Sequence, residues 1–237
     1  MDSITAYAPD TVENVSCGFD IMGFAIDAIG DEVTVSKAKN GLSSIQVIGP
    51  YGHLIPNEWT KNTTSVAIQS FLNATKNEDY LVDIVLKKNM PLGSGMGSSA
   101  SSSAAGVFAM NTLLGNILPL SELVVFAMEG ERIASGSAHA DNVAPSLLGG
   151  FVLIRSYAPL DIISVACPTD LFCAVVHPHI ELHTSDARRI LQKDIPIGDV
   201  ITQTANTAGF MTGLLQQDYA LIGRSMHDLL AEPKRTM

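Results

Sequence analysis

The sequence predicts an α+β fold, and three observations carry the prediction. Short runs rich in β-branched and aliphatic residues recur along the chain, segments of helical period lie between them, and beyond residue 196 only helical patterns remain. With 237 residues, 46% of them hydrophobic and 16% charged, the chain can bury one large core or two modest ones.

Taken in order, residues 8–27 (APDTVENVSCGFDIMGFAID) show little regular periodicity and read as a loop that gathers Asn14, Asp20 and Asp27. Asn and Asp are ordinary turn residues, so turn structure is the expectation for each, with ligand contact as the alternative. Apolar alternation then predicts strands at 32–38 (EVTVSKA), 43–49 (SSIQVIG) and 80–86 (YLVDIVL), with a helix over 64–75 (TSVAIQSFLNAT). A helix rich in good formers covers 104–116, and others cover 121–134 and 139–149, with Ser121 as an N-cap. Strands are expected at 150–156, 161–167 and 171–177, then helices over 184–193, capped by Thr184, and over 199–217 and 218–232. The polar turn at 156–161 (SYAPLD) is the expected boundary between a domain of residues 1–157 and one of residues 158–237.

Composition excludes several classes. The basic residues number 14 against 24 acidic, a formal charge of −10, and they are scattered. A nucleic-acid or anionic-membrane partner is therefore not expected. No apolar run approaches the ~20 residues that span a bilayer, and the start lacks a secretory pattern, so a cytoplasmic protein acting on a small molecule is expected. Three cysteines without CxxC spacing read as reduced thiols.

The stretch PLGSGMGSSASSSAA (91–105) lies between an expected strand and an expected helix. Glycines allow φ > 0 and close backbone approach, and the start of a helix offers unpaired N–H donors to an anion. Phosphate binding, a tight structural turn and a flexible connection are the three readings of this loop. Further on, Glu129 and Glu131 fall on a helix, and His139, Asp141 and Asn142 follow a glycine turn. A loop hydroxyl such as Ser99 with one glutamate such as Glu131 would suffice for Mg²⁺, which takes few protein oxygens beside phosphate and water. Glu129 reads as a solvated surface charge. His177, His179 and His183 invite a metal reading, but no fourth ligand has the right spacing, so surface or packing roles are expected. Arg188 and Arg235 are either solvated or able to hold a carboxylate bidentately.

Together YAP with NVSCGFDIMG (14–23), NMPLGSGMGSSASSSA (89–104), GSAHADNVAPSLLGG (136–150), TSDARRIL (184–191) and EPKR (232–235) resemble the GHMP kinase superfamily and, within it, the homoserine kinases. The resemblance implies an N-terminal domain similar to ribosomal protein S5 domain 2 and a ferredoxin-like C-terminal domain, with ATP and substrate at their junction. It implies that Pro91, Gly93, Ser94, Gly95, Met96, Gly97, Ser98 and Ser99 wrap the ATP phosphates and that Ser99 and Glu131 hold Mg²⁺. It implies contacts to L-homoserine from Asn14, Asp20, His139, Asp141, Asn142, Thr184, Arg188 and Arg235. The arginines suit its carboxylate, and Asp141 or Asp20 its ammonium group. The implied reaction moves the γ-phosphoryl group of ATP to the homoserine hydroxyl, giving O-phosphohomoserine for threonine synthesis.

Tyr7 stands before AP where the superfamily often has Lys, and Asn142 stands where its Asp base would be. Both features resemble homoserine kinases and imply catalysis without a strong protein base, through Ser99, Glu131 and Asn142 as positioning groups. The family continues past EPKR into further strands and another glycine loop, so an incomplete second domain with exposed apolar surface is expected. The alternatives are a kinase of the same superfamily for another small molecule, or a sensor of amino acid or nucleotide without turnover. A homodimer is among the arrangements left open.

Overall fold

The computed structural model describes residues 2–176, 188–191 and 194–235. Its framework is a mixed six-stranded sheet covered by helices. Two long antiparallel strands, β1 (Ser3–Val15) and β2 (Gly18–Lys37), form an N-terminal hairpin. The far edge of β2 pairs with β4 (Val82–Lys87) through residues 32–37 and with β5 (Phe151–Tyr157) through residues 22–24. β3 (Ser44–Ile48) lies parallel to β4, joined to it by a crossover that contains α1 (Thr63–Ala74). β5 continues into the antiparallel β6 (Leu160–Val165).

The hairpin overturns the reading of residues 8–27 as a loop. β1 is irregular, with register shifts between Pro9 and Thr11 and between Glu13 and Val15. Such bulges break the period-two pattern and re-aim side chains, which hides the strand from a periodicity argument. The turn at 156–161 is the turn between β5 and β6, so the sheet runs on across it. Residues 171–176 are not a strand, contrary to expectation. Phe172 and Val176 are 89% and 86% exposed, and among the described residues no strand lies beside this apolar run for it to pair with. The histidines at 177–183 and Thr184 lie outside the described residues.

Helices α2 (Ser98–Leu113), α3 (Leu120–Ser135) and α4 (Ala140–Leu148) pack with α1 over one face of the sheet. α3 starts behind Pro119 rather than with Ser121 as its cap. In-phase residues Val33, Val35, Ile84 and Leu86 meet Ile68, Phe71, Ala104, Val107, Leu123 and Val143 in the main core. α2 is buried on nearly every side, and its run of small residues is the reason it fits. A Cβ on Gly106 would stand 2.6 Å from Thr64, and one on Gly130 of α3 2.5 Å from the Thr63 carbonyl.

The C-terminal helices α5 (Ile197–Gln216), α6 (Tyr219–Ser225) and the short α7 (Glu232–Arg235) replace the two helices expected there. Phe210, Leu214 and Ile222 pack with Cys17, Met22 and Phe151 in a second cluster. Gln203 and Thr207 of α5 donate to the Cys17 carbonyl, which ties this helix to the tip of the β1–β2 hairpin. No described helix is long and apolar enough to cross a membrane.

Candidate active site

The loop between β4 and α2 folds on three glycines, Gly93, Gly95 and Gly97, all in the left-handed region at φ 65°, 70° and 64°. Gly97 is required twice over. It opens α2 at positive φ, and a Cβ there would stand 2.2 Å from Thr11 Oγ1 and 2.8 Å from Asn142 Oδ1. Met96 is buried and its carbonyl accepts from the Thr11 N–H at 3.1 Å, so the loop is seated on β1. The Ser94 and Ser98 hydroxyls are buried without a hydrogen-bond partner among the described residues. Beside them the first N–H groups of α2 have no intrahelical acceptors, which makes this a place for an anion.

A buried polar cluster holds that helix start from below. Lys88 pairs with Asp31, and its ammonium also donates to the Ser98 carbonyl and to Ser102 Oγ. Ser102 donates to Asp31, and the Asp31 and Asn89 N–H groups find Ser101 Oγ and Asp31 Oδ1. Ser101 donates to the Ala8 carbonyl. Ser101 and Ser102 thus serve the scaffold, while Ser98 and Ser99 face the loop side. Sequence reasoning missed Lys88 and Asp31, although each falls in phase with its buried neighbours, Leu86 and Val33. A charge on the inward phase of a strand needs a partner.

Ser99 and Glu131, the residues that the sequence pairs, are in contact. The Ser99 hydroxyl donates to Glu131 Oε2 at 2.5 Å, joining α2 to α3, and Glu131 is buried. Glu129 forms an exposed pair with Arg132, the surface role expected of it. Asn142 of α4 accepts from Thr11 Oγ1 at 2.7 Å and donates to Glu13 Oε2 at 2.6 Å. Glu13 and Thr11, both on the irregular part of β1, were not singled out from the sequence, and nothing in local pattern marks them.

Beyond Asn142 lies a second cluster. Asn14 and Asp20 stand at either side of the hairpin tip in left-handed conformations, and Asn14 Oδ1 accepts from the Asp20 N–H. Arg188 forks onto both Asp20 oxygens and donates to His139 Nδ1 at 3.1 Å. Arg can only donate, so the neutral ring carries its proton on Nε2, which is buried without a partner among the described residues. Burial, then the Arg188 charge, lowers the His139 pKa and favours that neutral ring. Asp141 is wholly buried, and neither of its carboxyl oxygens has a side-chain hydrogen-bond partner among the described residues. Burial, then Asp20, raises its pKa well above the usual carboxylate range. Arg188 and Arg235 both lie over the Phe19 ring, at 5.6 and 5.3 Å. Asp228 places α7, and with it Arg235, by accepting the N–H groups of Leu230, Ala231 and Glu232.

The described structure therefore brings two groups of residues together, the glycine loop at the start of α2 and the cluster of Asp20, His139, Asp141, Arg188 and Arg235, with Asn142 beside both. Among the described residues no cluster of three or more His, Cys, Asp or Glu could hold a metal ion.

Residues 62–150 match the GHMP kinases N terminal domain. The homoserine kinase of Chloroherpeton thalassium is 49% identical over a 244-residue alignment covering 99% of this chain and 76% of that protein. The homoserine kinase of Chlorobium phaeobacteroides is 50% identical, with 99% and 76% covered. The crystal structure of homoserine kinase from Cytophaga hutchinsonii superposes with a TM-score of 0.94 at 49% identity, covering 100% of this chain and 75% of that one.

Proposed function

The chain belongs to the homoserine kinases of the GHMP kinase family, and from that premise we propose that it transfers the γ-phosphoryl group of ATP to the side-chain hydroxyl of L-homoserine. The products are O-phospho-L-homoserine and ADP. The observation that carries this reading is the adjacency of Asp141 and Asn142. Asn142 lies against Gly97 at the opening of α2, while Asp141, the next residue back, has a buried carboxyl without a side-chain partner among the described residues. A phosphate-donor site and a site for a cationic group thus meet within one turn of α4, which suits an amino-acid acceptor.

In this reading the loop from Pro91 to Ser99 holds the ATP phosphates, through backbone N–H groups and the Ser94, Ser98 and Ser99 hydroxyls. Ser99 Oγ and Glu131 Oε2 are adjacent hard oxygen donors, a set that fits Mg²⁺ completed by phosphate oxygens and water. Bound there, Mg²⁺ supplies charge neutralisation at the phosphoryl oxygens. Asp141 takes the substrate ammonium, since Asp20 is already engaged by Arg188. The substrate carboxylate goes to the guanidinium groups flanking Phe19, and His139 offers Nε2–H beside them. Asn14 keeps Asp20, and hence Arg188, in place.

ADP release should be measured with L-homoserine, L-serine, L-threonine, galactose and mevalonate. L-Homoserine is expected to turn over well above the rest, because the site matches both charged ends of an amino acid. Equal turnover of galactose would overturn the assignment.

A further inference from the structure

We propose that Phe19 is a positioning residue for the substrate carboxylate, its ring holding the Arg188 and Arg235 guanidinium groups ready for that anion. The proposal rests on the reading above, in which these two arginines take the carboxylate of L-homoserine, and it gives them a common support.

The ring stands where the fold has little other use for it. Phe19 is half-buried at the tip of the β1–β2 hairpin, and among the described residues it joins neither hydrophobic cluster and pairs with no other aromatic ring. Cys17 and Met22 on either side of it do enter the second cluster, so the hairpin tip is anchored without it. What the ring meets is charge. The guanidinium carbon of Arg188 lies 5.6 Å from its centroid and that of Arg235 5.3 Å. Both fall within the ~6 Å over which a ring face attracts a cation.

The two cations also repel each other, and their compensation is unequal. Arg188 forks onto both oxygens of Asp20, the residue after Phe19. Among the described residues no carboxylate pairs with Arg235, and Nε of Arg188 is buried without a hydrogen-bond partner. One guanidinium charge of the pair is left uncompensated beside a buried donor, an arrangement that suits one further carboxylate.

Each arginine is registered to the ring by a different route. Asp20, which holds Arg188, keeps its left-handed backbone between Asn14 Oδ1 on its N–H and the Tyr157 hydroxyl, which donates to its carbonyl at 2.9 Å. The Gln203 amide donates to the Cys17 carbonyl at 2.8 Å and to Asp228 Oδ1 at 3.1 Å, and Asp228 caps the helix that carries Arg235. Arg235 is itself exposed, so its side chain has rotamer freedom to lose on gripping a ligand. A ring that holds the guanidinium beforehand lowers that cost.

The test is Phe19→Leu and Phe19→Tyr in the full chain, with L-homoserine and ATP affinities by calorimetry, kcat and KM from ADP release, and thermal unfolding. Leu keeps an apolar side chain and removes the ring, whereas Tyr keeps the ring. With Leu, the L-homoserine Kd and KM are expected to rise about tenfold, the size of a partly desolvated cation–π contact, with ATP affinity and kcat within about threefold. Tyr should keep every value within about threefold of the unsubstituted chain. An unchanged L-homoserine Kd with Leu, or equal weakening by Leu and Tyr, would overturn the proposal. So would a parallel loss of ATP affinity, which would make the ring a support of the fold alone. If Phe19→Leu does not fold, Phe19→Met takes its place, and failure of both to fold overturns the proposal in the same way. L-Homoserine binding that Leu weakens, with no ADP released by the unsubstituted chain, would sink the kinase reading and leave the carboxylate site standing. Absence of L-homoserine binding to the unsubstituted chain would overturn both.

Discussion

Lys88 and Asp31 form an ion pair sealed from solvent beneath the first turn of α2, with side chains 1% and 0% exposed. The same ammonium holds the Ser98 carbonyl, so the pair decides where α2 begins. Lys88→Met leaves the Asp31 charge buried and uncompensated, and a loss of about 3–5 kcal/mol is expected in urea unfolding. Adding Asp31→Asn should restore part of it. A loss below about 1 kcal/mol would show that the pair does not hold this turn.

Gly97 and Gly95 share a left-handed backbone but differ in surroundings. A Cβ on Gly95 meets nothing within 4 Å, whereas one on Gly97 runs into Thr11 and Asn142. Gly95→Ala should cost only the backbone term of about 1–2 kcal/mol. Gly97→Ala should cost more, and should raise the ATP KM at least tenfold by displacing the helix start. Thermal unfolding and ATP titrations of the two variants check this, and equal effects would refute it.

Glu131→Gln removes a charge from the oxygen pair with Ser99 and leaves the amino-acid pocket intact. A kcat loss on the order of 100-fold, about 3 kcal/mol of transition-state stabilisation, is expected with L-homoserine affinity unchanged. Activity near that of the unsubstituted chain would mean that this contact only joins α2 to α3.

Asp10 stands at the register shift of β1, fully buried beside Ser101, and neither carboxyl oxygen has a well-formed hydrogen bond among the described residues. Burial, then Asp31, raises its pKa to about 7, against the opposing charge of Lys88. The folded value lies above the unfolded one of 3.8, so the stability tied to the protonated group is present at acid pH. It is lost as pH climbs from about 4 through 7. Asp10→Ala should remove that slope and raise stability at pH 8 by up to ~4 kcal/mol, the equivalent of a three-unit shift. The gain should shrink toward nothing at pH 4. Denaturation curves at the two pH values decide it, and an equal change at both would rule out Asp10 as the source.

Much of the site was legible from separate motifs. The glycine loop, Ser99, Glu131 and the HADN run could each be named before any fold was known, because their chemistry is local: turn glycines, a helix start, oxygen donors on neighbouring elements. The inward phase of β2 and β4 also carried Asp31 and Lys88, a signal readable by extending the alternation one step further. Residues 171–176 misled for the opposite reason. Their apolar content resembles a strand, yet a strand needs a pairing edge, and none is present for them among the described residues.

From the sequence alone came the α+β class, the helices α1, α3 and α4 within a residue, α2 with its start six residues too late, and the kind of ligand each motif favours. Only the tertiary structure decided that residues 8–27 form a hairpin. It also brought Glu13 to Asn142 across 129 positions and Arg188 to Asp20 across 168. Periodicity reports how a segment relates to its own axis, whereas these contacts arise where bulges turn β1 toward α4 and distant helices fold back on the hairpin tip. Which carboxyl pairs with an arginine, and which has no such partner among the described residues, follows from that packing and from burial, and neither is written in any short stretch of chain.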